Sequence, residues 1–229
     1  MVYIIEEGKF KIIKPTKFSK AIITKIPKQW DLVPLESITY PITKGTTPTT
    51  DGEKFEKSGI IFLKVESFDD FGEINYEKCA YISQETYSKL KRSQLKENDI
   101  LFTIAGTLGR VTRITKEFLP ANVNQAISII RLKSNEFDVE FLEYYLRSPA
   151  IKKQILMEGT ILAQGNLSLA QMSNLLIAKP PKEEQIRISK TLSNIDLLIH
   201  NLKKSANNID EFRQGLTQQI FSGQLEITE

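Results

Sequence analysis

A run of about forty residues without proline, from Lys182 to about Ser222, constrains this chain more than any other feature. Pro180 and Pro181 precede it, and Glu183 and Glu184 fall in its first turn, where the helix dipole favours negative charge. Gly223 is placed to end it. Apolar residues recur at Ile188, Leu192, Ile195, Ile199, Leu202, Ala206, Ile209, Leu216 and Ile220, in spacings that alternate between four and three. Only Arg213 interrupts the series. A heptad seam held over about four repeats predicts a coiled-coil helix, ~60 Å long at 1.5 Å per residue. Such a helix cannot bury its seam against itself. It must lie on its own globular domain or pair with another long helix, and the alternation favours pairing. Arg213 and Gly215 weaken the far end.

Residues 1–180 read as one mixed domain, so the predicted fold class is α+β: a mixed α/β domain over 1–180, then the long helix over 181–229. Strands are predicted at Ile60–Val65, Asp99–Ala105, Arg110–Ile114 and Ala126–Leu132, each rich in β-branched or aromatic residues and bounded by turn residues. Helices are predicted at Val139–Leu146 and Ala150–Glu158, and Ser168-Leu-Ala-Gln171 fits a capping box. Leu175–Ala178 forms an apolar strand-like run before the prolines. No regular helices separate the strands, which argues against a doubly wound nucleotide-binding sheet.

Composition narrows the chemistry. The chain has 229 residues with one cysteine, Cys79, and one histidine, His200. A single cysteine makes no internal disulfide and no four-ligand zinc site. A Ser-His-Asp triad, a Cys-His dyad or a histidine-ligated metal would each need His200, which sits on the flank of the heptad helix as a surface residue. No phosphate-binding GxxxxGK[ST] loop and no GxGxxG fingerprint occur. Lys179-Pro-Pro-Lys182 lacks the side chains that would hold an adenine amino group, and Glu7-Gly-Lys9 has no second acid beside it for a metal-dependent nuclease. Neither a catalytic nor a metal-ligating residue is assigned. Charges interrupt every apolar segment and no secretory signal is visible, so a soluble, cytoplasmic protein without a membrane role is expected.

The net charge of +3 is a weak sign of a polyanionic partner. Its excess lies near the start, where Lys9, Lys11, Lys14, Lys17, Lys20, Lys25 and Lys28 face only Glu6 and Glu7. That arm suits phosphates, or is a frayed, solvated terminus.

An ordered set of motifs runs along the chain. Gly165-Asn-Leu-Ser168, Leu175-Leu-Ile-Ala-Lys-Pro-Pro181, Glu184-Gln185, Ile188, Leu192 and Asp196 resemble the junction between recognition domain and helix in specificity subunits of type I restriction-modification systems. Ile26-Pro27 and Trp30 resemble that family's opening strand. Gly45-Thr-Thr-Pro48 resembles its Gly-Thr-Pro loop. Gly106-Thr-Leu-Gly109-Arg110 and Asn124-Gln125-Ala126 resemble its central turn and following strand, and Phe221-Ser-Gly-Gln-Leu225 the end of its second helix. Together they span residues 26 to about 225. Members of the family generally carry two recognition domains and two antiparallel helices. This sequence has one of each, and starting at a methionine and finishing past the second-helix signature it reads as a natural half-subunit.

The resemblance implies a non-catalytic domain that reads one half of a bipartite DNA site. Short polar side chains and arginine read base edges, while lysines and backbone N–H groups take phosphates. Lys44, Gly45, Thr46, Thr47 and Thr49 form a basic, hydroxyl-rich loop that suits phosphate or is a simple exposed turn. Arg110 can reach guanine or phosphate, or pair with a carboxylate. Asn122, Asn124 and Gln125 match adenine's donor–acceptor edge, although Asn124 and Gln125 can equally fix their own loop through backbone bonds. Gln164 and Asn166 carry the same two readings, and Lys64 is placed at a strand edge. Tyr76, Tyr81, Tyr87, Phe68 and Phe71 flank an acidic segment (Glu66, Asp69, Asp70, Glu73) and are expected mostly in the core.

The implied partners are double-stranded DNA, modification subunits that carry S-adenosylmethionine, and a restriction subunit that uses ATP and Mg. This chain would bind no cofactor itself. Its orphan seam would be buried by a second copy in an antiparallel coiled coil. The competing reading is a coiled-coil adaptor whose head binds protein.

Overall fold

The computed structural model describes residues 3–7, 10–14, 25–157 and 165–225. The chain divides into two units, Met1–Ile186 and Arg187–Glu229.

Among the described residues the first unit holds four small sheets. β1 (Tyr3–Glu7) and β2 (Phe10–Lys14) pair antiparallel, and β2 continues onto β3 (Lys25–Pro27), with Phe10 opposite Pro27. The basic arm therefore enters a sheet along Tyr3–Glu7 and Phe10–Lys14. Lys9, Lys17 and Lys20 lie outside the described residues. β4 (Asp31–Pro34) pairs antiparallel with β12 (Leu176–Lys179), bringing the start of the domain to the segment that feeds the long helix.

The two central sheets carry the core. β5 (Thr43–Lys44), β11 (Ile127–Ile130), β8 (Ile100–Thr103) and β9 (Val111–Arg113) form an antiparallel sheet in that order. β10 (Ala121–Val123) runs parallel to β6 (Ile60–Leu63), which pairs antiparallel with β7 (Ala80–Ile82). β8 and β11 are buried along their whole length, and Leu63, Phe68, Leu101, Val123 and Ile127 pack together. Full burial of each such side chain contributes about 1.5–3 kcal/mol. At the edge of this core, Arg131 Nε and Nη2 each donate at 2.6 Å to the two oxygens of the fully buried Asp99. That fork ties the residue after β11 to the residue before β8.

Short helices close the domain. α1 spans Leu35–Ile38 and α2 spans Gln84–Lys89. α3 (Val139–Arg147) starts where Asp138 accepts from the Phe141 amide at 2.9 Å, and buries Phe141, Leu142 and Leu146. α4 (Pro149–Met157) follows. α5 (Leu169–Ser173) carries the predicted capping box: Ser168 Oγ accepts from the Gln171 amide, and Gln171 Oε1 accepts from the Ser168 amide at 2.9 Å. The four predicted strands are two or three residues shorter than expected, and the apolar run Leu175–Ala178 appears one residue later, as Leu176–Lys179. The aromatic expectation is only partly met: Phe68 is buried and Tyr81 and Tyr87 are half-buried, but Phe71 and Tyr76 are exposed.

α6 (Lys182–Phe221) is one continuous helix of 40 residues. It ends as predicted, with Gly223 at φ +72°, the Ser222 amide on the Gln218 carbonyl and the Gln224 amide on the Gln219 carbonyl. Arg213 and Gly215 do not interrupt it, and Arg213 pairs with Asp210 one turn back at 3.1 Å. Ile195, Ile199, Leu202 and Ile209 are exposed, Leu202 and Ile209 at 62% and 67%. Leu197, Leu198 and Phe212, outside the predicted seam, are exposed too, so the apolar stripe is wider than a strict heptad edge. Among the described residues no helix is long and apolar enough to cross a membrane.

Candidate nucleic-acid interface

Glycine at position 45 is a packing requirement. Its backbone lies so close to the end of β10 that a Cβ would sit 2.0 Å from the Val123 carbonyl oxygen and 2.2 Å from that of Asn124. The Gly45 amide donates to Ile127 O at 3.1 Å and the Thr46 amide to Val123 O at 3.2 Å. The loop after β5 is thereby stitched to both central sheets. Thr47 Oγ1 donates to Gln125 Oε1, joining this loop to the turn between β10 and β11. In that turn the Asn124 carboxamide oxygen accepts from the Ala126 amide at 3.2 Å, the local fixing bond that was one of its two sequence readings.

A third segment reaches the same place. Asn166 bridges to Ala105, and the Leu167 amide donates to Ile104 O at 2.8 Å. Lys44, Gln125, Ala126, Asn166, Ser168 and Gln171 line a cleft of about 420 Å³. Lys44, Gln125 and Asn166 are exposed. Thr46 and Thr47 are half-buried and Thr49 is exposed, on a turn whose Pro48 and Thr49 carbonyls are already taken by the Glu53 and Gly52 amides. Sequence candidates far apart in the chain thus share one surface of hydroxyls, carboxamides and an ammonium.

Other candidates are placed differently. Arg110 Nε donates to Asp70 at 2.7 Å, and its Nη1 reaches the Val65 and Phe68 carbonyls at 3.3 and 3.2 Å, so its guanidinium clamps the acidic segment. This is the carboxylate pairing that its sequence reading left open. Asn122 is fully buried in β10, and its Nδ2 donates to Leu90 O at 3.3 Å, which keeps it from a base edge. Lys64 is half-buried and paired with Glu66 at 2.8 Å, which holds the Glu66 carboxyl below the usual range. Gln164 lies outside the described residues.

Arg92 was missed. Its Nη2 donates to Thr46 Oγ1 at 3.2 Å from a separate turn, and Lys91 beside it is exposed. The only sequence signal was the cluster Lys89-Leu-Lys-Arg92, whose buried Leu90 forces its neighbours outward. Among the described residues no group of acidic, histidine and cysteine side chains could hold a metal ion.

Comparison with known proteins supplies the context. The family model described as "Type I restriction modification DNA specificity domain" matches residues 27–211. The specificity subunit of the Escherichia coli restriction enzyme EcoBI is 27% identical over 227 residues, covering 92% of this chain and 47% of the relative. The MjaVIII specificity subunit of Methanocaldococcus jannaschii is 26% identical over 222 residues, covering 94% and 51%. Among solved structures, a chain from a type I R-M system complex aligns with a TM-score of 0.63 at 20% identity, covering 86% of this chain and 46% of that one. The HsdS subunit of Thermoanaerobacter tengcongensis aligns at 0.58 and 20% identity, covering 95% and 49%. The chain spans about half the length of the curated relatives it matches. By this match the chain belongs to the type I restriction modification DNA specificity domain family.

Proposed function

We propose that this chain is the sequence-specific DNA-recognition component of a type I restriction-modification complex. In this reading it recognises one half of a bipartite site, catalyses nothing itself, and directs modification and restriction subunits to the DNA. S-adenosylmethionine then belongs to the modification subunits and ATP with Mg to the restriction subunit, and the assembly works in the cytoplasm. The observation that carries the reading is the convergence of Lys44, Thr46, Thr47, Gln125 and Asn166 on one hydrogen-bonded surface. Hydroxyls and carboxamides read base edges, and an exposed ammonium takes phosphate.

The exposed stripe of α6 supports a second part of the reading. Ile195, Leu202 and Ile209 would be covered by the same helix of a second copy, antiparallel, so that two identical domains face DNA across a twofold axis. Coexpression with candidate modification subunits tests the whole. Copurification, with DNA binding that weakens steeply as salt rises, is the expected result. Failure to copurify, together with binding that ignores salt and sequence, would leave the coiled-coil adaptor as the better description.

A further inference from the structure

The cations around the Lys44–Thr49 loop divide by partner. Lys64 is neutralised by Glu66 and Arg110 by Asp70. Lys89 is held by Glu53 at 2.7 Å and Glu85 at 2.9 Å. Lys44, Lys91 and Arg92 have no carboxylate within ion-pair distance among the described residues. Like charges gathered without compensation repel one another, and a polyanion relieves that repulsion.

The Lys91–Ser93 turn is also unusually well anchored for a surface segment. Leu90, before it, is buried against Phe62 and Ile82. The Leu90 carbonyl accepts from Ser93 Oγ at 3.2 Å and from the buried Asn122 at 3.3 Å. Gln94 Nε2 donates to Tyr87 O at 2.8 Å, and the Leu95 amide donates to Ala121 O at 3.0 Å. Asn122 is therefore a positioning residue for the turn. Lys91 and Arg92 stand exposed on this base, and the bond to Thr46 uses one of the five guanidinium N–H donors of Arg92.

We propose that the Lys91–Arg92 turn is a second phosphate-binding element of the DNA surface, with Arg92 gripping the backbone beside Thr46. This rests on the DNA-recognition reading above. A base-reading side chain must project into a groove. Arg92 instead lies on a short turn hydrogen-bonded on both sides to β10, its guanidinium tied to the neighbouring loop, which suits the phosphates that flank a groove.

The test measures binding of the full chain to a random-sequence duplex across a salt series. Arg92→Gln lowers the magnitude of the log K against log salt slope by about 0.9, so the defect grows about eightfold for each tenfold dilution of salt. Lys91→Gln does the same, whereas Arg92→Lys keeps the slope. The thermal midpoint of each variant stays at the wild-type value, because both side chains are exposed. An Arg92→Gln slope equal to that of a salt-sensitive wild type overturns the inference and leaves the recognition reading intact. Loss of preference for a selected target, with random-duplex binding unchanged, makes Arg92 a base reader and also overturns it. A wild-type chain that binds no duplex, alone or assembled with its modification subunits, removes both.

Discussion

The side chain of Gln185, fully buried in the first turn of α6, donates through Nε2 to the carbonyl oxygen of Pro180 at 2.8 Å. Its Oε1 accepts from the Asp138 amide at 2.8 Å, so one carboxamide joins the start of the long helix to the start of α3. Gln185→Ala leaves a buried carbonyl and a half-buried N–H without this partner, and the buried group alone is worth about 1–3 kcal/mol. At this size about 2–4 °C is lost per kcal/mol, so the midpoint falls by roughly 2–12 °C. An unchanged midpoint in a thermal melt contradicts the role.

Gly45→Ala places a methyl group against two backbone carbonyls that cannot rotate away. Overpacking of this kind costs about 1–3 kcal/mol. The loop must also lift, moving Thr46 and Thr47 away from Gln125. The expected result is a lower thermal midpoint together with weakened DNA binding, read by melting and by a duplex titration. Full DNA affinity in this variant would show that the loop is a turn only.

The exposed stripe on α6 predicts self-association. Leu202→Glu combined with Ile209→Glu puts charges at the centre of the seam, and the chain becomes monomeric by sedimentation equilibrium at concentrations where the parent is a dimer. Deleting one heptad within Lys182–Phe221 shortens the helix by about 10 Å and changes the spacer of the recognised site. A spacer left unchanged by that deletion counts directly against the helix as its ruler.

Tyr145 gives a pH dependence. Burial pushes its phenol up to about 12, and it is hydrogen-bonded to the Ala178 backbone. Below about pH 10, the ordinary phenol value, folded and unfolded chains are both protonated and stability is complete. Above that pH the unfolded chain releases the proton while the folded chain retains it, so stability falls as pH rises toward about 12. The slope is on the order of 1.4 kcal/mol per pH unit. Melts of the parent and of Tyr145→Phe between these limits should diverge, with the variant losing less.

What could be read from the sequence was local. The heptad spacing, the two prolines and Gly223 located α6 almost to the residue, and Ser168 with Gln171 located the start of α5, because caps and periodicity act within a few residues. Pairings between distant segments could not be read. Nothing near Asp31–Pro34 announces that it pairs with Leu176–Lys179, and nothing near Arg110 points to Asp70 forty residues earlier. The candidate surface was half legible for the same reason. Polar loops named Lys44, Thr46, Gln125 and Asn166, but Asn122 has the same composition signal and faces inward. Arg92 became visible only once Thr46 stood 3.2 Å away.

The most direct measurement is a selection from a pool of random duplexes by the full chain assembled with its modification subunits, followed by sequencing. Two identical domains across a twofold axis should enrich an interrupted palindrome with one fixed spacer, bound less tightly as salt rises. A pool that emerges unenriched would contradict the account.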